Sequence, residues 1–146
     1  MNNKKVLVIG GCGRIGKSVA QDIISHTDAE VTITSRNSET QIEAPFKFLT
    51  LDLTNHEQLQ DAIAPQDLVI HCAGPFHHRD GIVLETCIDL EVNYIDVSDH
   101  RSFYERVIQH QEKAISKGVT AILNTCLLYT SPSPRDLSTS RMPSSA

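Results

Sequence analysis

Seven residues near the amino terminus, Gly10-Gly11-Cys12-Gly13-Arg14-Ile15-Gly16, carry the densest chemical signal in the chain. Gly11, Gly13 and Gly16 satisfy the spacing G-x-G-x-x-G. In that pattern the first glycine makes a tight turn. The second lets backbone approach a pyrophosphate, and the third lets the following helix pack closely on the strand before it. The phosphates then rest on the free N–H groups and positive end of the helix, which draws Cys12, Arg14 and Ile15 into the site beside the glycines. The run predicts a dinucleotide site. A purely structural glycine turn is the bland alternative.

The end of the second strand selects the dinucleotide. An NAD site places Asp or Glu there, about 20 residues on, for the ribose 2′-OH. This chain has Thr34-Ser35-Arg36-Asn37, and the next carboxylate is Glu39. A guanidinium pairs with a 2′-phosphate and a hydroxyl donates to it, whereas an acid repels it. Ser35 and Arg36 therefore predict NADP, with NAD as the alternative; read blandly, Arg36 is a solvated loop charge. Asp52 ends the third strand. It either accepts from the adenine amino group or caps the next helix.

The elements needed to position these groups follow from periodicity. Residues 5–9 (KVLVI) form a continuous apolar run, as in a strand buried on both faces. Residues 14–25 carry Ile15, Val19 and Ile23 at helical spacing. Strands are predicted at 31–35, 46–51, 67–72, 93–97 and 119–123. Helices are predicted from Thr54 or Asn55, either of which can cap, to Ile63, then over 79–90 and 100–117, with Gly118 as a stop. Tyr94 is expected in the core. Strands alternating with helices give the α/β class: a Rossmann-type, doubly wound, mostly parallel six-stranded sheet with right-handed crossovers.

Two later segments complete the pattern: His71-Cys72-Ala73-Gly74-Pro75-Phe76, and the stretch from Cys87 to Asp99, CIDLEVNYIDVSD. With the GGCGRIGK opening they resemble the NADP-binding domain of the saccharopine dehydrogenase-like family over residues 4–124. The resemblance implies an NADP-dependent oxidoreductase built as a cofactor half followed by a larger substrate and dimerisation half. The small-molecule substrate and any homodimer then belong to that second half. Glu91 stands where the family often has Gly. Ala73, Gly74 and Pro75 lie at the carboxyl edge of a central strand, where small residues let backbone approach the ribose and nicotinamide; a simple turn is the alternative. Asp96, Ser98 and Asp99 follow on the same edge, facing a ligand or, for Ser98 and Asp99, capping the next helix. Gly10, Gly13 and Gly16 also fit G-x-x-G-x-x-G, the spacing of short-chain dehydrogenases. That keeps an atypical short-chain dehydrogenase or epimerase-like protein open, and a non-catalytic NADP-sensing module as well. The Tyr-x-x-x-Lys of that group is absent: Tyr94 is followed four on by Ser98, and Tyr104 by Ile108.

Composition narrows the remaining classes. The chain has 146 residues, 18 acidic against 13 basic, and a net charge of −5. With no Trp and 5% aromatics, it lacks a basic or stacking surface for nucleic acid. No apolar run approaches the ~20 residues that span a bilayer. Cysteines 12, 72, 87 and 126 form no CxxC or regular framework, which predicts unpaired thiols in a cytoplasmic, reducing compartment. Cys12 reads as a small filler. His71, Cys72, His77 and His78 crowd one segment, but neighbours on a strand point to opposite faces, so no metal is predicted.

The composition shifts near residue 125. Residues 126–146 hold six Ser and three Pro but no Gly. The run CLLYTSPSPRD matches the in-frame translation of a transposase-library sequencing adapter, and SRMPSSA that of the flow-cell sequence which follows it. Residues 1–125 are therefore expected to be the dinucleotide-binding unit, and 126–146 an added, non-native tail. Deleting 126–146 should leave the melting temperature unchanged, and the source genome should not carry this segment continuous with the upstream gene. A lowered melting temperature contradicts this reading.

Overall fold

The structure is a computed structural model that describes residues 3–38, 42 and 45–126. Glu39 and the tail residues 127–146, on which two of the sequence expectations rest, lie outside the described residues. The elements are β1 (Lys5–Ile9), α1 (Arg14–His26), β2 (Glu30–Ser35), β3 (Lys47–Thr50), α2 (His56–Ile63), β4 (Leu68–His71), a 3-10 turn (Phe76–His78), α3 (Ile82–Asp89), β5 (Asn93–Asp96), α4 (Arg101–Val107), α5 (Gln111–Ser116) and β6 (Ala121–Ile122). All strand pairs are parallel, in the order β3-β2-β1-β4-β5-β6. The direction of winding reverses between β1 and β4, which opens a crevice at their carboxyl ends.

The continuous apolar run of β1 follows from its central place. Leu7 and Ile9 enter the core layer under α2, α3 and α4, with Leu59, Ile63, Val83, Ile88, Phe103 and Val107. Val6 and Val8 enter the opposite layer, with Ala20, Val31 and Ile33. Both faces of the sheet are thus covered, and alternate residues of one strand feed two cores.

Three helix expectations need correction. Residues 79–81 are not helical: Gly81 at φ +88° stops the backbone from joining α3, and Asp80 Oδ1 accepts the Ile82 N–H at 3.1 Å. The segment 100–117 is two helices separated by a 3-10 turn at Ile108–His110, although the apolar period survives the break and Phe103, Val107 and Ala114 are all buried. The cap of α4 is neither Ser98 nor Asp99 but His100, whose side chain accepts the Ser102 N–H. Asn55 caps α2, accepting from Gln58 N–H at 3.1 Å.

Glu91 turns the chain from α3 into β5 at φ +58°, in the left-handed region. That conformation costs an L-residue about 1–2 kcal/mol and costs glycine little. Among the described residues its side chain pairs with Lys117 at 4.0 Å near the surface, which contributes little. Glu91→Gly should therefore stabilise the domain by about 0.5–1 kcal/mol in chemical denaturation. A loss of stability would mean that Glu91 supports this turn through its side chain.

Candidate dinucleotide-binding site

The tight turn after β1 falls one residue earlier than the G-x-G-x-x-G reading assigns. Gly10 takes φ +77°, and its N–H points to Thr34 Oγ1 at 3.3 Å. Gly11 instead lies flat against β2, where a Cβ would come within 2.5 Å of the Ile33 Cβ. A Cβ on Gly16 would stand 2.2 Å from the Gly10 carbonyl oxygen, so this residue lets α1 start directly against the turn. Gly13 is the N-cap of α1. It brings no capping side chain, and its own N–H is taken by Gly10 O at 3.0 Å. The N–H groups of Arg14, Ile15 and Gly16 have no partner in the helix, and the first turn holds no acid to compete for them. This is a cradle of three amides at a positive helix end, with its approach kept clear by a glycine.

The cradle opens into a cleft of about 300 Å³ at the switch point. Of the residues expected at the site, Cys12, Gly13, Ser35, Arg36, Asp52, Ala73 and Gly74 line it. Gly11, Arg14, Ile15, Gly16 and Pro75 do not. Gly11 and Gly16 are packing residues, the side chains of Arg14 and Ile15 are exposed, and Pro75, also exposed, lies outside the lining. The Cys12 thiol hydrogen-bonds with Ser35, and burial raises its pKa. Asp52 is not the helix cap. Its Oδ1 accepts the Thr54 N–H and hydroxyl at 2.9 and 2.8 Å, and those bonds, with the charge of Arg36 across the cleft, hold the exposed carboxyl below its usual range.

Sequence reasoning missed Arg79. Its Nε donates to Ala73 O at 3.0 Å and its Nη2 to Gly74 O at 3.3 Å. Arg106 of α4 donates to Phe76 O and His77 O at 3.3 and 3.0 Å. Two guanidiniums thus hold four carbonyls of the loop that forms one wall of the cleft. Nothing in the local pattern signals this, because the partners are backbone atoms of a loop that only the fold brings near. His77 and His78 on that loop are exposed. His71 and Cys72 pack into opposite layers, and among the described residues no cluster of three or more His, Cys, Asp or Glu is arranged to hold a metal.

Asp96 and Ser98 do not face a ligand; both are fully buried. Asp96 Oδ1 accepts from Ser98 N–H and Asn124 N–H, each at 3.0 Å, and Oδ2 accepts from Tyr94 OH at 3.1 Å. The single proton of Ser98 Oγ serves either Asp96 Oδ1 or the Asn124 amide oxygen, each 2.6 Å away. Because Tyr94 gives its proton to the carboxylate, its oxygen accepts from His71 Nδ1, 3.1 Å off. Burial, then the Arg79 charge, push the His71 pKa down to about 3, against a weaker opposing contact with the Ala73 carbonyl. Burial beside Asp96 keeps Tyr94 a neutral phenol.

Comparison with known proteins places the chain in a family. The family model of the saccharopine dehydrogenase NADP-binding domain matches residues 6–122. A saccharopine dehydrogenase-like oxidoreductase of Bos taurus is 32% identical over 72 residues, 49% of this chain and 17% of its own. A probable mitochondrial relative of Arabidopsis thaliana is 26% identical over 53% of this chain and 17% of its own. The match therefore covers about a sixth of the length of these relatives. In fold it resembles the saccharopine dehydrogenase (L-Glu forming) of Saccharomyces cerevisiae, with TM-score 0.68, 20% identity, and coverage of 84% of this chain and 27% of that one. It also resembles a short-chain dehydrogenase/reductase of Veillonella parvula solved with NADP, with TM-score 0.61, 14% identity, and 84% and 68% coverage. Among the described residues no helix is long and apolar enough to cross a membrane.

The buried imidazole has a consequence for acid stability. Unfolded, His71 takes a proton near its ordinary 6.5; folded, it refuses one until about 3. Its contribution to stability is complete above pH 6.5 and is lost as the pH falls from there toward 3, at up to about 1.4 kcal/mol per pH unit. His71→Gln cannot titrate but can still donate to Tyr94, so its stability should fall less steeply across that window. Urea unfolding of both proteins between pH 7 and 4 checks this; parallel curves would count against it.

Proposed function

The chain belongs to the saccharopine dehydrogenase NADP-binding domain family, and from that premise we propose that it is the cofactor-holding part of an NADP-dependent oxidoreductase, with residues 1–125 as the binding unit. One observation carries the reading. Gly13, the residue from which α1 starts, and the Ser35-Arg36 pair line the same cleft, and no acid stands at the end of β2. The residues fit the cofactor: a glycine-cleared helix terminus suits a pyrophosphate, and a hydroxyl beside a guanidinium suits a 2′-phosphate.

In this reading the N–H groups of Arg14, Ile15 and Gly16 hold the pyrophosphate, Cys12 and Gly13 line its approach, and Gly11 seats the turn against β2. Arg36 and Ser35 bind the 2′-phosphate. Asp52 borders the adenosine, and Ala73 and Gly74 form the wall beside the ribose and nicotinamide. When bound, the cofactor supplies hydride transfer; the protein orients it. The small-molecule substrate, the residues that act on it and any homodimer contact belong to the longer protein that such relatives represent. The free thiols support a reducing compartment, which we take as the cytoplasm. The roles of Gly10, Gly13 and Gly16 favour a second reading, a short-chain dehydrogenase relative, and a Tyr-x-x-x-Lys motif in the longer gene would decide for it.

Fluorescence titration of the unaltered chain should show NADPH binding more tightly than NADH. Arg36→Ala should weaken NADPH by about 1–3 kcal/mol, the worth of a charge-assisted contact, and leave NADH nearly untouched. Equal affinity for the two cofactors in the unaltered chain refutes the NADP assignment.

A further inference from the structure

The loop from Cys72 to Gly81 carries the Ala73–Gly74 wall of the cleft, yet its own backbone bonds are local. The His78 N–H reaches back to Pro75 O at 3.3 Å, and the Arg79 N–H to Phe76 O at 3.0 Å. Such bonds shape the loop but do not fix where it stands against the sheet. That is settled from behind, by α4. His100 is the cap of this helix, and Phe103 and Arg106 follow at three-residue spacing, so the three share one stripe. All three meet the loop. Phe103 packs edge-on against Phe76, with ring centroids 5.1 Å apart, and His100 faces His77 at 5.5 Å. Arg106 Nη2 donates to the carbonyls of Phe76 and His77. At the far end of the loop, a Cβ on Gly81 would come within 2.8 Å of Val107 Cγ1 on the same helix.

Arg106 is the directional member of this stripe. Arg101 of α4 directs its charge to Glu105, at 2.8 Å. Among the described residues Arg106 has the two loop carbonyls as its hydrogen-bond partners, and its buried Nε has none. The guanidinium thus keeps its hold on the loop with one N–H left unsatisfied, a costly arrangement for a residue that only decorates a helix. Arg79 holds Ala73 and Gly74 from the other side, but it also lines the cleft, so removing it would take away wall and clamp together. None of His100, Phe103 and Arg106 lines the cleft. A change at Arg106 reaches a ligand there only by moving the loop.

The next step rests on the NADP reading above, in which Ala73 and Gly74 flank the nicotinamide while Ser35, Arg36 and the α1 amides hold the phosphates. We propose that Arg106 is a positioning residue for the nicotinamide half of the cofactor: through the Phe76 and His77 carbonyls it sets the place of the Ala73–Gly74 wall. The two halves of the dinucleotide are then held by separate parts of the fold. The adenosine half depends on the ends of β1, β2 and β3. The nicotinamide half depends on α4, acting through the loop after β4. A wall displaced by about 1 Å loses its contact with a flat ring and turns the reacting carbon out of line.

The split is read by titrating the 146-residue chain with NADPH and with adenosine 2′,5′-bisphosphate, which lacks the nicotinamide half. Arg106→Met should weaken NADPH about tenfold, in the range of a charge-assisted contact, and leave the bisphosphate within about twofold. At saturation the fluorescence of NADPH bound to this variant should shift toward that of the free cofactor. Arg106→Lys, which keeps the charge and can still donate to the loop, should recover most of the loss. If Arg106→Met does not fold, Arg106→Gln, uncharged and too short to reach both carbonyls, carries the same expectation. Equal weakening of the two ligands makes Arg106 a general support of the fold and overturns the positioning role. NADPH binding unchanged in a folded variant shows that the loop stands without Arg106 and overturns it as well. If the unaltered chain binds neither ligand, the NADP reading itself falls, and this inference with it.

Discussion

The contact on which the site depends is between backbones. The Gly10 carbonyl oxygen accepts the Gly13 N–H, and the same oxygen leaves no room for a side chain at Gly16. On the other side, a Cβ on Gly10 would touch the Ala73 Cα and N at 3.0 Å. The end of β1, the start of α1 and the loop after β4 therefore meet with little more than hydrogen atoms between them. Because α1 starts so close to the strand, its unpaired amides sit at the sheet edge rather than out in solvent. Because the β4 loop is equally close, the turn from Gly10 to Gly13 faces a wall and makes a cleft. Side chains at either glycine would separate these parts, and the helix end would lose its place in the crevice.

The sheet order turns that local contact into a binding surface. With β1 central and β2 and β4 on either side, groups from the ends of three strands converge without any being adjacent in sequence. Thr34 and Ser35 come from β2, Ala73 and Gly74 from beyond β4, and Asp52 from beyond β3. Charge follows the same geometry. The acidic chain, at −5 overall, keeps the first turn of α1 and the end of β2 clear of carboxylates among the described residues, and the cleft's one acid, Asp52, is held by Thr54. An anion entering there meets amides and Arg36 first.

Much of this was legible because it is periodic or local. A two-sided apolar strand, an amphipathic helix and a glycine run announce themselves within a few residues, and the sheet class follows from their alternation. The glycine roles were less legible. Both spacings fit the same seven residues, and only the backbone angle at Gly10 and the proximity of Ile33 to Gly11 separate a turn residue from a packing residue. The loop clamps were illegible, since Arg79 and Arg106 act on carbonyls, and a carbonyl has no sequence signature. Asp96 misled for a related reason. A carboxylate at the end of a strand in an α/β sheet suggests a ligand, but this one is enclosed by Tyr94, Ser98 and Asn124, the last nearly thirty residues away.

That enclosure also explains how a buried carboxylate survives without a cation. Asp96 has no buried lysine or arginine beside it among the described ion pairs; it is held by N–H and O–H donors from β5, the turn after it and the segment beyond β6. Thr125 adds its own N–H and hydroxyl to the Asp96 carbonyl, at 3.2 and 2.6 Å. The short edge strand β6, only two residues long, is thus fastened at its exit by polar bonds rather than by ladder length. The same carboxylate orders Tyr94, and Tyr94 orders His71 on the neighbouring strand. One buried charge therefore fixes the path of the chain leaving the sheet and the hydrogen-bonding sense of a buried imidazole. Removing it would loosen both, since a buried network left half satisfied costs more than one that is absent.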